Sequence, residues 1–252
     1  MSDPKRIIAK FDIKNEYIVK GINFEGYERI APVNSYSDIL KANRVDEIIF
    51  NDILATLFGR NELGNIISKI TKNIFAPVTA SGGIKSLLDA SVLIANGSDK
   101  ICINTELYHN KQVLTDIIKR FGSQAIVAAV DVANVNGCFQ LFSHTGREIE
   151  DITLRDHLTE LDQYGLSELH ITSINKDGEL KGIDRELIDT VDSLNLSTSL
   201  IYQGGASTTD DFSYVFSTSC FTAVAVSTML YKSPGLVGEI KKELLYQGIQ
   251  II

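Results

Sequence analysis

The sequence repeats a set of short motifs in its two halves, at a nearly constant spacing. Residues 8–12 read Ile-Ala-Lys-Phe-Asp and residues 128–131 read Ala-Ala-Val-Asp, so that Asp12 and Asp131 lie 119 residues apart. Two further pairs of motifs lie 122 and 123 residues apart: residues 81–84 with 203–206, and residues 102–105 with 225–228. Three matched pairs at nearly one spacing indicate a chain that is built from two equivalent halves.

Short apolar runs alternate with longer amphipathic stretches along the whole chain. Several of the runs are rich in Ile and Val, which is typical of strands that are buried on both faces of a parallel sheet. The predicted strands are residues 6–11, 47–50, 76–79, 100–103, 125–130, 168–171, 199–201 and 223–226. The predicted helices are residues 62–72, 87–95, 111–121, 153–164, 185–193 and 209–216.

This alternation predicts βαβ units, and eight such units need ~250 residues to close a barrel. The chain has 252 residues. We therefore expect one α/β domain over residues 1–252, a (β/α)8 TIM barrel with a two-fold half-barrel repeat. An open doubly wound sheet is the weaker alternative, because no Gly-rich dinucleotide-binding motif follows the first predicted strand.

The composition restricts the partners and cofactors. The formal net charge is −8, which disfavours non-specific binding to nucleic acid. No stretch approaches the ~18 apolar residues of a membrane span, and the N-terminal residues lack the apolar segment of a signal peptide, so we expect a cytoplasmic protein that does not bind membranes. The cysteines and histidines show no metal-ligand spacing, so we expect no metal and no other cofactor. They are Cys102, Cys138 and Cys220, and His109, His144, His157 and His170.

Asp12 and Asp131 follow the first and fifth predicted strands. In a barrel of this kind the active site lies at the C-terminal ends of the strands, so the repeat places these aspartates across one mouth. Two carboxyl groups that face one pocket can act as general acid and general base if their surroundings separate their pKa values. A single aspartate at such a position more often caps a helix, but a pair at equivalent positions favours catalysis.

Glycine pairs follow the third and seventh predicted strands, and small hydrogen-bond donors follow the fourth and eighth. Glycine lets backbone N–H groups approach a phosphate closely, and helix N-termini favour anions. A single glycine pair is usually a tight turn, but the repetition predicts one phosphate site in each half and hence a small bisphosphate substrate. The residues are Gly82, Gly83, Asn104 and Thr105 in the first half, and Gly204, Gly205, Ser227 and Thr228 in the second.

Three further residues are expected to contribute to binding. Asp177 and Gly178, in the loop after the sixth predicted strand, are placed to join the second phosphate site. Lys20 is predicted to lie in a long loop after the first strand and to close over the ligand as part of a lid.

Four charged residues open predicted strands, at the end of the barrel opposite the active site. They are Arg6, Glu47, Lys100 and Glu168. Because buried charges need partners, two positive and two negative side chains at this end predict a ring of ion pairs across the barrel axis. Scattered charges in contact with solvent are the alternative.

These motifs together resemble those of the cyclase subunit of imidazole glycerol phosphate synthase, over almost the whole chain. The runs Lys-Gly-Ile-Asn-Phe at residues 20–24 and Phe-Gly-Ser-Gln at residues 121–124 distinguish this branch from the related sugar isomerase of the histidine pathway. The other shared motifs are residues 6–8, 46–47, 81–84, 99–100, 103–105, 172–174, 177–178 and 204–206, together with Asp12.

The resemblance implies a lyase that needs no cofactor and receives ammonia from a glutaminase subunit docked at the barrel bottom. Ammonia would pass through the barrel core and react with a phosphoribulosyl-formimino carboxamide ribotide, which yields imidazole glycerol phosphate and an aminoimidazole carboxamide ribotide. The resemblance assigns acid–base catalysis to Asp12 and Asp131, the closing loop to Lys20, and substrate binding to the glycine pairs and to Thr172. It assigns the ammonia gate to the four-charge ring and a place at the partner interface to Asp99.

The sequence departs from the family pattern near the mouth of the barrel. Lys10 stands where the family usually has a cysteine, and Asn51 replaces an apolar residue. Asn175 replaces an aspartate, and Glu179 and Gln203 replace small residues, so that the carboxylate of Glu179 is expected to repel a phosphate in the second site. These changes motivate an alternative function, a paralogue that passes ammonia to a sugar amidotransferase in surface-polysaccharide biosynthesis. A non-catalytic scaffold that only activates a glutaminase is a further alternative.

Overall fold

We describe the chain from a computed structural model, for residues 4–55, 63–71 and 74–252. The strands of this part are β1 (Arg6–Lys14), β2 (Tyr17–Ile22), β3 (Glu25–Pro32), β4 (Glu47–Asp52), β5 (Val78–Ser81), β6 (Lys100–Ile103), β7 (Ile126–Val135), β8 (Cys138–Ser143), β9 (Glu148–Glu150), β10 (Glu168–Ser173), β11 (Ser199–Gln203) and β12 (Ala223–Val226). Its α-helices are α1 (Tyr36–Asn43), α2 (Leu63–Ile70), α3 (Leu87–Ala95), α4 (Glu106–His109), α5 (Lys111–Phe121), α6 (Leu154–Asp162), α7 (Arg185–Asp192), α8 (Thr209–Thr218), α9 (Thr228–Lys232) and α10 (Leu236–Tyr246). None of these described helices is both long and apolar enough to cross a membrane.

Parallel strands close into an eight-stranded barrel. Around the barrel the order is β1, β4, β5, β6, β7, β10, β11 and β12, and β12 pairs with β1 to complete the ring. Helices connect the strands on the outside, so the predicted (β/α)8 barrel is confirmed. That residues 1–252 form a single domain stays a prediction.

The predicted element bounds agree closely with the observed ones. The bounds of β6, β12, α3 and α5 are the predicted ones. Strands β1 and β7 run three and five residues further than predicted, to Lys14 and Val135, because each continues into an antiparallel hairpin. The predicted helix at residues 62–72 is observed as α2, and its two predicted end residues lie outside the described residues.

A hairpin of β2 and β3 follows β1, and a hairpin of β8 and β9 follows β7, which extends the two-fold repeat to the top of the barrel. The prediction that Lys20 lies in a long loop is wrong, because Lys20 is part of β2 and pairs with Glu28 of β3. The alternation of buried and exposed residues that marks such a hairpin is missing from the sequence, since four consecutive residues of β2, residues 18–21, are all buried.

The barrel separates two apolar layers. Outside the strands, alternate side chains such as Ile7, Phe11 and Phe50 pack against the surrounding helices. Inside the barrel a smaller cluster fills the middle of the axis, and it consists of Ile8, Ile49, Cys102, Val127, Ile201, Ala223 and Ala225, with Ala129 packed against it. This inner cluster lies between the four charges that open the strands and the polar residues that end them.

The repeat also extends to helix capping. Ser86 caps α3 by accepting a hydrogen bond from Asp89 N at 3.2 Å, and Thr208 caps α8 by accepting one from Asp211 N at 3.4 Å. The two caps lie 122 residues apart, each shortly after a glycine pair. Since an N-cap side chain satisfies a free N–H group of the first turn, both halves begin the helix after the glycine pair in the same way.

Tyr202 joins the end of β11 to the second glycine pair, and we expect its hydroxyl group to be important for stability. The hydroxyl accepts a hydrogen bond from Asp184 N and donates one to Gly204 O, both at 2.8 Å, and the side chain is fully buried. Tyr202→Phe would leave both backbone groups unsatisfied, so the free energy of unfolding in urea should fall by about 1–3 kcal/mol. Tyr246→Phe, at an exposed position, is the matched control and should leave it unchanged. Equal values for the two variants would contradict the role of this hydroxyl.

Candidate active site

The mouth of the barrel forms a cavity at the C-terminal ends of the strands. Its volume is about 790 Å³, part of which is open to solvent. Asp12 and Asp131 both line this cavity, together with Lys10, His170 and Thr172. Also in its lining are Gly82, Gly83, Asn104, Thr105, Asn51 and Phe24. The two halves of the chain therefore bring one carboxyl group each to a shared cavity.

Asp12 is buried on β1 among cations and hydrogen-bond donors. Its Oδ1 accepts a hydrogen bond from Asn51 Nδ2 at 2.9 Å and lies 3.4 Å from Lys10 Nζ. Its Oδ2 lies 3.4 Å from Lys20 Nζ. Burial acts to raise the pKa of Asp12, but the charges of Lys10 and Lys20 outweigh burial and lower the pKa below its ordinary value. Asp12 is therefore a carboxylate at neutral pH.

Lys10 is a cation that strand β1 supplies to the cavity. It lies two residues before Asp12 on the same strand, and side chains on alternate positions of a strand share one face. Its ammonium group also lies 5.8 Å from the centroid of the Phe24 ring. Burial acts to lower the pKa of Lys10, but the attraction of Asp12, Asp177 and Asp131 raises it, so that the side chain is charged.

Asp131 has fewer neighbouring groups that stabilise a negative charge than Asp12 has. Asn104 Nδ2 lies 3.3 Å from its Oδ2, and the hydroxyl of Thr172 also hydrogen-bonds to it. Removal from bulk water raises the pKa of Asp131 to about 6, although Lys10 and Thr172 oppose this shift. Near neutral pH the two carboxyl groups thus differ: Asp12 stays ionised, whereas Asp131 gains and loses a proton readily.

The first glycine pair and its neighbours are held by the fold. Gly83 has a φ of +68°, and a Cβ atom there would lie 2.5 Å from Ala55 Cβ, so only glycine fits. Asn104 Nδ2 donates to Ala129 O at 3.0 Å, which fixes Asn104 beside Asp131. Thr105 Oγ1 accepts a hydrogen bond from His144 N at 3.2 Å. These residues lie together at the cavity as predicted, and their contact with a phosphate stays a prediction.

A second and smaller cavity, of about 280 Å³ including space open to solvent, lies beside the ends of β11 and β12. Among its lining residues are Asp177, Gly178, Gln203, Gly204, Gly205, Ser227 and Thr228. Thr228 Oγ1 is buried and has no hydrogen-bond partner among the described residues. Because an unpaired buried hydroxyl is costly, its position in the lining of this cavity favours a ligand with acceptor atoms, as a phosphate has.

Lys20 connects the hairpin above the mouth to both halves of the barrel. Besides its contact with Asp12, its ammonium group donates to Asp177 Oδ2 at 2.5 Å. Gln203 Nε2 donates to the other oxygen of Asp177, Oδ1, at 3.0 Å. Both carboxylate oxygens of Asp177 are thus occupied by side chains, so Asp177 holds Lys20 and Gln203 in place at the edge of the second cavity.

The β2–β3 hairpin lies closed over the mouth. Asn23 N donates to Asp177 O at 2.9 Å, and Gly21 O packs directly against Gly178. The turn residues Asn23 and Phe24 have φ values of +52° and +64°, a conformation that is uncommon for phenylalanine. Phe24 nevertheless lines the main cavity. Such strain at a cavity is typical of functional sites.

The residues that depart from the family pattern have local explanations. Asn51 donates to Asp12, and Asn175 Oδ1 accepts a hydrogen bond from Asn134 N at 2.7 Å, which ties the loop after β10 to β7. Glu179 Oε1 lies 3.8 Å from Lys181 Nζ, and Glu179 is not among the described residues that line the second cavity. The position of this side chain therefore gives no support to the expected repulsion of a phosphate.

At the opposite end of the barrel the four strand-opening charges form a closed ring. Arg6 forms ion pairs with Glu47 and, at 2.6 Å, with Glu168. Lys100 Nζ lies 2.7 Å from Glu168 Oε2 and 3.7 Å from Glu47 Oε2. The predicted pairing across the axis is confirmed, whereas the role of the ring as an ammonia gate stays a prediction.

Asp99 lies exposed at the same end, next to Lys100 in the chain. Its Oδ2 accepts a hydrogen bond from Val78 N at 2.8 Å, as Asp46 Oδ2 does from Ile7 N at 2.7 Å. These equivalent contacts hold the bottom of the barrel together. Asp99 is therefore on the face where a partner is expected, and its contact with a partner stays a prediction.

From the sequence, Lys10 and Asn51 stand out only as departures from the family pattern, without a role in the site. One signal was present, because Lys10 is two residues from Asp12 and must share its face of the strand. The contact of Asn51 with Asp12 depends on strand register, since Asp12 pairs with Asn51 across β1 and β4. Register between parallel strands cannot be read from either strand alone.

Asp131→Asn should change the pH dependence of stability. The pKa of Asp131 is about 6 in the folded protein and higher than in the unfolded chain, so the wild-type protein gains stability as the pH falls through this value. The variant lacks this gain. Between about pH 8 and about pH 5, the free energy of unfolding of the wild type should rise by about 1 kcal/mol relative to that of Asp131→Asn.

Asp12→Asn is the control with the opposite sign. The folded-state pKa of Asp12 is lowered, so its stabilising contribution is present above the unfolded-state pKa and is lost as the pH falls through the folded-state value. Asp12→Asn should therefore be most destabilising near neutral pH and less so in acid. The same pH dependence for both variants, measured by urea unfolding, would contradict the separation of the two pKa values.

Gly178→Ala should loosen the closed hairpin. Gly178 has a φ of +83°, and a Cβ atom there would lie 2.4 Å from Gly21 O, so the hairpin must move away. Trypsin should then cleave at Lys20 and Arg29 faster than in the wild type. Gly137→Ala is a matched control, because Gly137 has a φ of +84° with nothing within 4 Å of the added atom. Equal cleavage of the two variants at Lys20 and Arg29 would contradict the role of the contact between Gly178 and Gly21 in holding the hairpin closed.

Comparisons with known proteins agree with this geometry. A family model described as "Histidine biosynthesis protein" matches residues 6–234. An "Imidazole glycerol phosphate synthase subunit HisF" of Legionella pneumophila is 36% identical over 208 residues, which cover 82% of this chain and 98% of the relative. Proteins of the same name from Thermotoga sp. (strain RQ2) and Sulfurisphaera tokodaii are each 34% identical over 247 residues, which cover 98% of this chain and 97% and 98% of the relatives. The chain belongs to the histidine biosynthesis protein family, in the branch of the imidazole glycerol phosphate synthase subunit HisF.

Proposed function

We propose that this protein is the cyclase subunit of an imidazole glycerol phosphate synthase. It uses ammonia to convert a phosphoribulosyl-formimino carboxamide ribotide to imidazole glycerol phosphate and an aminoimidazole carboxamide ribotide. The observation that carries the proposal is the pair Asp12 and Asp131, which line one cavity with pKa values shifted in opposite directions. Membership of the HisF branch supports the choice of substrate.

The reaction needs both a proton acceptor and a proton donor. Closing an imidazole ring with ammonia expels a carbonyl oxygen as water, and release of the aminoimidazole breaks a C–N bond. Asp12, ionised beside Lys10, is suited to accept protons from the attacking nitrogen. Asp131, with a pKa of about 6, is suited to deliver protons to the departing oxygen or nitrogen.

The two glycine-rich ends are suited to the two phosphates of the substrate. In the first half, Gly82, Gly83, Asn104 and Thr105 line the main cavity. In the second half, Gly204, Gly205, Ser227 and Thr228 line the smaller cavity with Gly178, and the unpaired hydroxyl of Thr228 supports an anion there. Thr172, beside Asp131, completes the proposed binding set. In this proposal Lys20 opens and closes with its hairpin, since it now lies between the cavities.

Ammonia is proposed to enter from a glutaminase subunit docked around Asp99 and the ring of Arg6, Glu47, Lys100 and Glu168. Above the ring, the apolar cluster inside the barrel favours passage of the neutral molecule over ammonium. Side chains of the ring must move for passage, because their ion pairs close the axis. The alternative of a sugar amidotransferase partner is not favoured, since the relatives named above are all called subunit HisF of imidazole glycerol phosphate synthase.

Turnover tests the catalytic proposal. Supplied with ammonium salt and the ribotide, the purified chain should form imidazole glycerol phosphate, and Asp12→Asn and Asp131→Asn should each lower the rate by roughly 10²–10⁴-fold. Asp38→Asn, at an exposed position on α1, is the control and should retain the rate. Full activity of the Asp12→Asn protein would show that Asp12 is not needed for catalysis, and absence of turnover in the folded wild type would refute the cyclase.

The ratio of glutamine-driven to ammonium-driven turnover tests the proposed ammonia path. In complex with its glutaminase subunit, Lys100→Met should lower glutamine-driven turnover and leave ammonium-driven turnover unchanged, because only the former uses the ring. Lys111→Met, which removes an exposed ion pair with Glu160 on the outer surface, is the matched control. If Lys100→Met lowers both rates equally, the ring stabilises the barrel and does not gate ammonia.

A further inference from the structure

Two histidines and two glutamates from the segments that follow β6 and β7 meet at the top of the barrel. His109 ends α4, His144 lies in the turn after β8, and Glu148 and Glu150 belong to β9. One ligand atom from each of the four lies within 4.8 Å of those of the other three. We expected no metal because the cysteines and histidines lack metal-ligand spacing in the sequence. The fold brings these four residues together, so spacing along the chain does not reveal the cluster.

The distances within the cluster suit a small cation. His109 Nε2 lies 3.2 Å from Glu150 Oε1, and His144 Nδ1 lies 3.3 Å from Glu148 Oε2. In a tetrahedral zinc site with bonds of about 2.0–2.2 Å, neighbouring ligand atoms are about 3.4 Å apart. Two of the ligand pairs are already near this separation, and because all four atoms lie within 4.8 Å of one another, the two pairs have only to move closer together to share one ion.

Glu150 supplies an independent observation that points to a ligand. Its side chain is nine-tenths buried, and its Oε1 accepts no hydrogen bond within the described part of the chain, although His109 Nε2 is 3.2 Å away. A buried carboxylate oxygen without a donor is costly. A divalent cation between this oxygen and the ring nitrogen of His109 removes that cost, and two carboxylates balance its charge.

We propose that His109, His144, Glu148 and Glu150 bind one divalent transition-metal ion of the zinc class. Imidazole ligands favour zinc, copper and nickel over magnesium and calcium, which prefer all-oxygen sites. The side chains of His109 and Glu148 are 45% and 59% exposed, so an ion reaches the site directly from solvent. The hydroxyl of Ser143, now 2.8 Å from His144 Nδ1, gives up that contact when the ion binds.

The position of the site indicates what the ion does. His144 N donates a hydrogen bond to Thr105 Oγ1. Gly146 lies in the same turn as His144 and packs against the ring of Phe24 at the tip of the β2–β3 hairpin. An ion that links α4 to β9 therefore fixes the turn after β8, which the tip of the β2–β3 hairpin contacts. It also fixes Thr105, at the edge of the main cavity.

Zinc alone is the probe for the test. The chain carrying Cys138→Ser and Cys220→Ser, which removes the two exposed thiols, is freed of metal and titrated with zinc chloride against a chromogenic chelator. One zinc ion should bind per chain, and His109→Ala and His144→Ala should each weaken binding by at least ~10-fold. Glu106→Gln, a neighbouring acid on α4 outside the cluster, is the control and should bind zinc as the parent does.

Two further readouts separate loss of the site from loss of the fold. Zinc should raise the unfolding midpoint of the parent protein and not that of the double variant His109→Ala/His144→Ala, because only a ligand bound to the folded state stabilises it. Cobalt should give the visible absorption of a four-coordinate site in the parent alone. Failure of the parent to retain zinc, or unchanged binding in the folded double variant, would overturn the proposal.

Discussion

The buried ion pair between Lys10 and Asp12 is the interaction on which the rest of the site depends. Removing one partner of a buried pair typically costs ~3–5 kcal/mol, because the other charge is left without compensation. Lys10 is therefore tolerated inside the barrel only with Asp12 beside it, and Asp12 keeps its negative charge only with cations beside it. The same constraint holds at the barrel bottom, where Arg6 and Lys100 share two glutamates, Glu47 and Glu168.

The two halves of the chain carry equivalent aspartates, and two lysines beside Asp12, Lys10 and Lys20, make the surroundings of the two carboxyl groups different. The position that matches Lys10 in the second half, 119 residues on, is Ala129. The strand neighbours are equivalent, since Asp12 pairs with Asn51 across β1 and β4, and Asp131 pairs with Thr172 across β7 and β10. Burial raises the pKa of Asp131, whereas at Asp12 the charges of Lys10 and Lys20 outweigh burial, so the two pKa values shift in opposite directions. The repeat places the two carboxyl groups at one cavity, and the differences between the halves separate their pKa values.

Much of the barrel could be predicted from the sequence, because buried parallel strands and amphipathic helices leave periodic patterns; β6, β12, α3 and α5 have the predicted bounds. The repeat also located both aspartates and both glycine pairs. The hairpin that carries Lys20 was missed because four consecutive buried residues hide its alternation. The cluster of His109, His144, Glu148 and Glu150 was missed because a turn between strands, and not sequence spacing, brings its members together.

The function proposed for this site depends on the two aspartates having different protonation states at one pH. Carbon-13 NMR of aspartate-labelled protein measures this directly, with the two side-chain carboxyl signals assigned by Asp12→Asn and Asp131→Asn. We expect the Asp131 signal to titrate near pH 6 and the Asp12 signal to remain that of a carboxylate until the pH falls below the ordinary aspartate range. Two signals that titrate together at an ordinary aspartate pKa would contradict it.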